Sequence, residues 1–230
     1  MHNFYLIGHR GVAGEKFENS MSGFEHALTL DIDAVELDIR QHAGELWVIH
    51  DQELDRLTDA TGKFQALDDP STLRLKNGEP IPRLREVLDL LWAKIPVNIE
   101  IKSFNTGPML LELLEHYPPI KPASGFPWVL ISSFDHRQIL ALSQAACRWP
   151  LALVTHGIPV NAKQLIETIR PFSWSMGREF LDYAFIKQVQ QQGVQVMIFT
   201  VNETSQALEL KNTGIDGIFT DYPSKLLGML

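Results

Sequence analysis

Short apolar runs rich in β-branched residues recur along the chain, and they alternate with segments whose apolar residues lie three or four positions apart. The first pattern predicts buried strands and the second predicts amphipathic helices. Their alternation is typical of parallel strands joined by crossover helices. The predicted strands, eight in number, span residues 4–8, 34–39, 97–101, 128–132, 151–154, 172–176, 195–200 and 217–220.

The chain length of 230 residues admits either one barrel or one doubly wound sheet. The count of eight strands favours a (β/α)8 barrel that occupies residues 1–230 as a single domain. One stretch breaks the alternation, at about residues 51–82, where polar and turn-forming residues replace any helical pattern. We expect this insert, placed after the second barrel strand, to be either a small cap over a binding site or a tolerated surface excursion.

Composition excludes several kinds of partner and site. The 28 acidic residues outnumber the 20 basic ones, and no Lys/Arg run is present, so we expect neither nucleic acid nor an anionic membrane as a partner. The single cysteine, Cys147, excludes an internal disulfide and a zinc site built on several thiolates. The apolar run at residues 4–7 is too short for a signal peptide, and no apolar stretch approaches the ~18 residues of a membrane span. We therefore expect a cytoplasmic protein.

Two predicted strands carry charged residues at alternating positions. Glu36 and Asp38 share one face of the second strand, and Glu100 and Lys102 share one face at the end of the third. The outer face of a barrel strand packs against helices, so these four side chains should point inward. They lie near the carboxyl ends of their strands, where barrel active sites are found.

Two histidines follow predicted strands at the same end of the barrel. His9 and Arg10 end the first strand, and His50 ends a short strand that we expect to pair with the second strand through a turn at residues 43–44. His156 follows the fifth predicted strand and is a further candidate for substrate contact. The sequence thus predicts a cluster of ionisable groups at one mouth.

Three carboxylates at one mouth would repel one another, and either a shared proton or a bound cation relieves the repulsion. An all-oxygen donor set favours a hard divalent ion, Mg²⁺ or Ca²⁺, with Mn²⁺ as a third fit. With Arg10 and Lys102 counted, the unfilled site carries one net negative charge, and a divalent cation reverses its sign. Only the metal-bound site would then attract an anionic substrate.

The remaining groups suggest the reaction. Two imidazoles with ordinary pKa values near 6.5 can supply a general acid and a general base at neutral pH. The guanidinium of Arg10 offers a bidentate fork suited to phosphate. We therefore expect metal-assisted cleavage of a phosphodiester.

The sequence also resembles the glycerophosphodiester phosphodiesterase family, in blocks that occur in family order along the whole chain. The matching blocks are His9-Arg10-Gly11, Glu18-Asn19-Ser20, Glu36-Leu37-Asp38, His50-Asp51, residues 54–58 with Gly62, residues 81–84, Glu100-Ile101-Lys102, Ser132-Ser133-Phe134 and residues 216–223. The resemblance implies a metal-dependent β/α barrel of the cytoplasmic type, with the insert as a cap that contributes to binding.

The resemblance also implies roles for individual residues. Those roles are metal ligation by Glu36, Asp38 and Glu100, acid/base catalysis by His9 and His50, and phosphate contacts from Arg10 and Lys102. Glu18 is counted with the substrate-binding residues, either as a fourth acidic contact or as a hydrogen-bonding residue behind the site. We favour the second role, because a fourth acidic charge would cancel the positive charge of the metal-bound site. Phe199 stands where the family commonly has Trp before Thr-Val-Asn, and we expect it on the leaving-group side.

The expected activity is hydrolysis of a small-molecule glycerophosphodiester to sn-glycerol 3-phosphate and an alcohol. Either water or the 2-hydroxyl of the glycerol could be the attacking oxygen. Two alternatives stay open, namely phospholipase D-like hydrolysis of lysophospholipids and a barrel that only binds phosphodiesters. A lysophospholipase would need an exposed apolar lip, and the apolar residues of the insert could form either that lip or the insert's own core. No particular oligomeric state is predicted.

Overall fold

Eight parallel strands alternate with helices and close on themselves as a barrel in the computed structural model, which describes residues 4–121 and 125–229. The strands are β1 (Tyr5–Gly8), β2 (Ala34–His42), β3 (Glu45–Val48), β4 (Val97–Ile101), β5 (Val129–Ser133), β6 (Leu151–Thr155), β7 (Ser173–Gly177), β8 (Gln195–Phe199) and β9 (Gly217–Thr220). The α-helices are α1 (Met21–Ala27), α2 (Leu84–Leu91), α3 (Gly107–Leu114), α4 (His136–Gln144), α5 (Ala162–Ile169), α6 (Tyr183–Gln191), α7 (Thr204–Asn212) and α8 (Pro223–Leu226).

Strand β1 closes the barrel because it pairs in parallel with both β2 and β9. The ninth strand, β3, runs antiparallel to β2 and stands outside the barrel, as the predicted turn at residues 43–44 requires. The predicted (β/α)8 barrel is confirmed, and seven of the eight predicted barrel strands agree with the structure to within one residue at each end. Only β2 extends more than one residue beyond its predicted range, because its last residues form the hairpin with β3.

The alternation along each strand separates two apolar regions. The outward side chains, such as Leu37, Ile99 and Trp174, are buried between the barrel and its helices. Inside the barrel a smaller apolar group, which includes Ile7 and Leu130, fills one part of the interior. The inward charged positions of β2 and β4 are left to form the mouth.

The insert between β3 and α2 has its own small core. It contains two 3₁₀ turns, Phe64–Ala66 and Pro70–Thr72, and residues 51–82, all of which the structure describes, hold no α-helix. Its buried apolar side chains, including Leu54 and Leu75, cluster with Trp47 of β3. The apolar residues of the insert therefore form a core of their own and do not form an exposed lip.

Among residues 4–121 and 125–229, no helix combines the length and the apolar character needed to cross a bilayer.

We expect the outward packing of β2 to contribute strongly to stability. Leu37, which lies between Glu36 and Asp38 in the sequence, has a fully buried side chain. Leu37→Ala should therefore lower the free energy of unfolding by about 2–5 kcal/mol, as cavity-forming core substitutions do. Urea unfolding of the metal-free protein measures this change. Leu208→Ala, at an exposed site on α7, is the control and should stay within about 0.5 kcal/mol. Equal costs for the two variants would contradict this picture of the packing.

Candidate active site

The parallel register of β2 and β4 brings three carboxylates together. Asp38 pairs with Glu100, and Glu36 pairs with Asn98, so the inward residues of the two strands lie side by side. All four of these residues are buried. One carboxylate oxygen from each of Glu36, Asp38 and Glu100 lies within 4.8 Å of the other two.

The turn after β1 brings a cationic side chain to this cluster. A side chain at Gly8 would bring its Cβ to 2.2 Å from the carbonyl oxygen of Gly11, so only glycine fits there. Arg10 has a φ of 49°, in the left-handed region, and its backbone N–H donates to Glu36 Oε2 at 2.8 Å. Backbone strain of this kind is typical of functional sites.

Asp38 is the most strongly compensated of the three carboxylates. Arg10 Nε and Lys102 Nζ each lie 3.3 Å from one of its oxygens, and Asn19 Nδ2 donates to it at 2.8 Å. Burial by itself would raise the pKa of Asp38, but the two adjacent cations outweigh it and hold that pKa well below the usual range. Asp38 is therefore ionised.

Glu36 and Glu100 are compensated less. Burial, and then repulsion from Asp38 and Glu100, raises the pKa of Glu36 well above the ordinary carboxyl range. Burial also raises the pKa of Glu100, although Lys102 contacts this carboxylate and opposes the shift. Without a further cation the cluster therefore favours a proton on one of its carboxyl groups.

The cluster fits a hard divalent cation. Glu36 Oε1 is buried and has no hydrogen-bond partner, although an unpaired buried carboxylate oxygen is costly. Its neighbours in the cluster are carboxylate oxygens, the donors that Mg²⁺ and Ca²⁺ prefer. Glu36, Asp38 and Glu100 could together hold one such ion.

Each of the two predicted histidines is oriented by a carboxylate. His9 Nδ1 donates to Asp221 Oδ1 at 2.7 Å, and His50 Nδ1 donates to Asp51 Oδ1 at 2.6 Å. In each ring Nε2 is thus the nitrogen left for proton transfer, and both rings line the same cavity. Burial lowers the pKa of His50, which favours its neutral form at pH 7. The geometry supports acid/base chemistry by this pair.

The cavity is amphipathic and holds a volume of about 180 Å³. Its charged side consists of His9, Arg10, Glu36, His50, Glu100 and Lys102. Its apolar side includes Phe134, Phe199 and His156, where the Phe134 and His156 rings stack at 5.0 Å between centroids. Phe199 meets Phe134 edge to face at 5.9 Å. All of the predicted site residues except Asp38 and Glu18 line this cavity, and His156 lines it with them.

Glu18 lies outside the carboxylate cluster. It accepts a hydrogen bond from Arg10 Nη1 at 2.7 Å and two from Arg56 of the insert, at 2.6 and 2.9 Å. Arg56 also donates twice to Asp51, at 2.6 and 2.9 Å. Burial would raise the pKa of Asp51, but the bonds from Arg56 and His50 hold it at about 2. One insert residue thereby fixes the carboxylates behind both Arg10 and His50.

Sequence reasoning missed four residues of this network. Asn19, Asp51, Arg56 and Asp221 stand within the family-like blocks, yet their partners could not be assigned from the sequence. Arg40 was also missed; its Nε and Nη2 donate to the His50 carbonyl at 2.9 and 2.8 Å. For Asn19, Arg40 and Asp51 the available signal was that each stands within two positions of a predicted site residue. Arg56 and Asp221 had only their place in the family-like blocks.

The chain is similar in sequence to known proteins. Residues 9–225 match the model of the glycerophosphoryl diester phosphodiesterase family. A glycerophosphodiester phosphodiesterase of Caldanaerobacter subterraneus is 30% identical over 98% of this chain and 97% of its own length. A human lysophospholipase D is 27% identical over 97% of this chain and 85% of its own length.

The fold is shared with solved structures as well. The phosphodiesterase of Oleispira antarctica, solved in complex with the product sn-glycerol-3-phosphate, superimposes with a TM-score of 0.88. The two chains are 24% identical, and the match covers 98% of this chain and 96% of the other. The family match spans nearly the entire chain, and a relative of that name is 30% identical over almost its full length, so this protein belongs to the glycerophosphoryl diester phosphodiesterase family.

Proposed function

We propose that this protein hydrolyses glycerophosphodiesters to sn-glycerol 3-phosphate and an alcohol, with a bound divalent cation and two histidines as acid and base. The observation that carries the proposal is the placement of two carboxylate-oriented imidazoles in the cavity that also holds the Glu36, Asp38 and Glu100 cluster. A barrel that only binds phosphodiesters has no need of two imidazoles held in one tautomer.

The cation site follows from the donor set. Glu36, Asp38 and Glu100 would hold the ion, and Mg²⁺ or Ca²⁺ fits their oxygens best, with Mn²⁺ as a third candidate. When bound, the ion would polarise a phosphoryl oxygen and stabilise the negative charge that develops on it. Arg10 and Lys102 border the same cavity and would pair with the phosphate oxygens.

Proton transfer would fall to the two histidines. One imidazole takes a proton from the attacking oxygen, and the other gives a proton to the departing alkoxide. Attack by water gives the products directly, whereas attack by the 2-hydroxyl of the glycerol forms a cyclic phosphate that is then opened. Both routes use His9 and His50. Phe199 and the stacked Phe134–His156 pair would contact the carbon skeleton of the substrate.

Hydrolysis of lysophospholipids is a second candidate function. It is favoured by exposed apolar side chains on the loops around the mouth, of which Phe104 is 74% exposed. The similarity to a human lysophospholipase D agrees with it. The chemistry at the phosphorus atom would be the same, and only the substrate's acyl chain would differ.

Glu36→Gln should weaken metal binding and reduce its pH dependence. In the wild type, the raised pKa of Glu36 means that a proton occupies the metal-free site at mildly acid pH, so metal affinity should rise as pH increases through that pKa. Loss of this ligand should cost on the order of 10-fold or more in affinity. Calorimetric titration with Mg²⁺ and Ca²⁺ at about pH 5.5 and pH 7.5 measures both effects.

The matched control is Glu45→Gln, at the exposed start of β3, which should bind metal as the wild type does. A wild-type affinity that is flat with pH, or a Glu36→Gln protein that binds as tightly as the control, would contradict the metal assignment.

Replacement of His9 or His50 by Ala should lower kcat/KM for glycerophosphocholine by about 10² to 10⁴, the usual size of an acid/base contribution. Metal affinity should change little, because neither ring belongs to the carboxylate cluster. A p-nitrophenyl ester of glycerol phosphate needs no proton on its leaving group, so it should restore activity to the acid variant alone.

His116→Ala, at an exposed site after α3, controls for loss of a histidine as such. The two-role assignment is wrong if both active-site variants respond alike to the activated ester.

Arg56→Ala should lower kcat/KM by about 10- to 100-fold, the range seen when the partners of site residues are removed. It breaks the four hydrogen bonds that Arg56 donates to Glu18 and Asp51. The melting temperature should change little, because the Arg56 side chain is 51% exposed.

Arg74→Ala is the control within the insert, since Arg74 is exposed and its guanidinium donates to the nearby carbonyl groups of Ser71 and Leu73. Equal activity in the two variants, measured with saturating metal, would show that the insert does not position the site.

A further inference from the structure

The exposed large apolar side chains gather at the mouth of the barrel. Among the residues that the structure describes, nine large hydrophobic side chains are exposed, and six of these lie on the four successive connections after β4, β5, β6 and β7. These six, which we call the apolar rim, are Phe104, Phe134, Ile158, Val160, Phe180 and Tyr183. All four connections leave the carboxyl ends of parallel strands, so they surround one side of the same opening.

The exposure of the rim is high for side chains of this size. Val160 is fully exposed, Phe104 is 74% exposed and Phe180 is 52% exposed. Single exposed apolar residues are ordinary, but a group concentrated on adjacent loops marks an interaction surface.

The rim continues into the cavity. Phe134 belongs to both, because it is partly exposed and also lines the cavity wall. Its ring stacks on His156 and meets Phe199, so an apolar path runs from the outer loops to the site of the phosphate chemistry. A molecule held on the rim would have its adjoining part inside the cavity.

The insert side of the mouth has the opposite character. There Glu18, Asp51 and Arg56 form paired charges, and the apolar side chains of the insert are turned into its own core. The mouth thus has one apolar half and one charged half. This division matches an amphiphile whose polar head enters the site while its chain stays on the apolar side.

We propose that the apolar rim docks on the surface of a zwitterionic lipid aggregate, from which the enzyme takes a phosphodiester that carries one acyl chain. The proposal rests on the proposed function and names the physical form of its substrate. A net charge of −8 opposes both self-association and binding to anionic lipid. The connection after β7 adds Glu179 and Asp182 beside Arg178, which gives no cationic patch for anionic head groups.

A partner protein seated on the rim would cover the apolar path by which Phe134 links the outer loops to the cavity wall. A lipid surface would instead supply substrate along that route. We therefore favour lipid over a second copy of the chain as the occupant.

The test replaces three rim residues that do not line the cavity, in the triple variant Ile158→Ser, Val160→Ser and Phe180→Ser. The matched control is Leu208→Ser, an exposed apolar site on α7 away from these loops. In flotation with phosphatidylcholine vesicles, the wild type and the control should bind. The triple variant should bind with an affinity reduced on the order of 10-fold or more, because three apolar contacts with the lipid are lost.

Kinetics supply the second measurement. The triple variant should lose most of its activity on lysophosphatidylcholine micelles and keep wild-type activity on monomeric glycerophosphocholine. Wild-type protein that ignores the vesicles, or a triple variant that binds them equally well, would overturn the proposal. It would also be overturned if sedimentation showed a wild-type dimer that the triple substitution dissociates. Vesicle binding that depends on the rim, without turnover of either substrate, would support the rim and contradict the proposed function.

Discussion

Three carboxylates buried within 4.8 Å of one another impose the constraint on which the rest of the site depends. So much negative charge in a poorly solvated place needs counter-charge, protons or both. The structure supplies counter-charge unevenly: Asp38 lies beside Arg10 and Lys102, while Glu36 retains a buried oxygen without a partner. Because the ion pairs do not compensate all three carboxylates, the cluster could accommodate a further cation.

The barrel can hold these carboxylates close together because the outward and inward faces of its strands differ in character. The outward residues of β2 and β4, such as Leu37 and Ile99, pack against helices and fix both strands, so the inward carboxylates have no freedom to separate. The inward charged residues of β2 and β4 then stand at the open end of the barrel, where a substrate can reach them. The insert adds a second level of control through Arg56, which joins the groups behind Arg10 and His50.

Much of this could be predicted from the sequence, for a physical reason. The period-two pattern of a strand is local, so it places Glu36, Asp38 and Glu100 on one face without knowledge of the fold. The partners of the histidines are not local: His9 and Asp221 are 212 positions apart, and only closure of β1 against β9 brings them together. The contacts of Arg56 likewise depend on how an irregular insert folds back, which no periodicity encodes.

The exposure of apolar side chains in loops could not be predicted from the sequence either. An apolar residue in a loop reads the same whether it packs inward or faces water, so Phe104 and Val160 carry no signal of exposure in the sequence. From the sequence, the apolar residues of the insert could form either an exposed apolar lip or a core of the insert. In the structure they are buried in a separate core. The exposed apolar side chains are instead those of the apolar rim, on the connections across the mouth from the insert. They give the opening its amphipathic character.

The most direct test of the central claim is the position of a bound ion. Crystals grown with Mn²⁺ and measured for anomalous scattering should show one strong peak in contact with carboxylate oxygens of Glu36, Asp38 and Glu100, with the unpaired oxygen of Glu36 among the ligands. A peak at another location, or a cluster that holds no ion at saturating Mn²⁺ while Lys102 still bridges Asp38 and Glu100, would contradict the account.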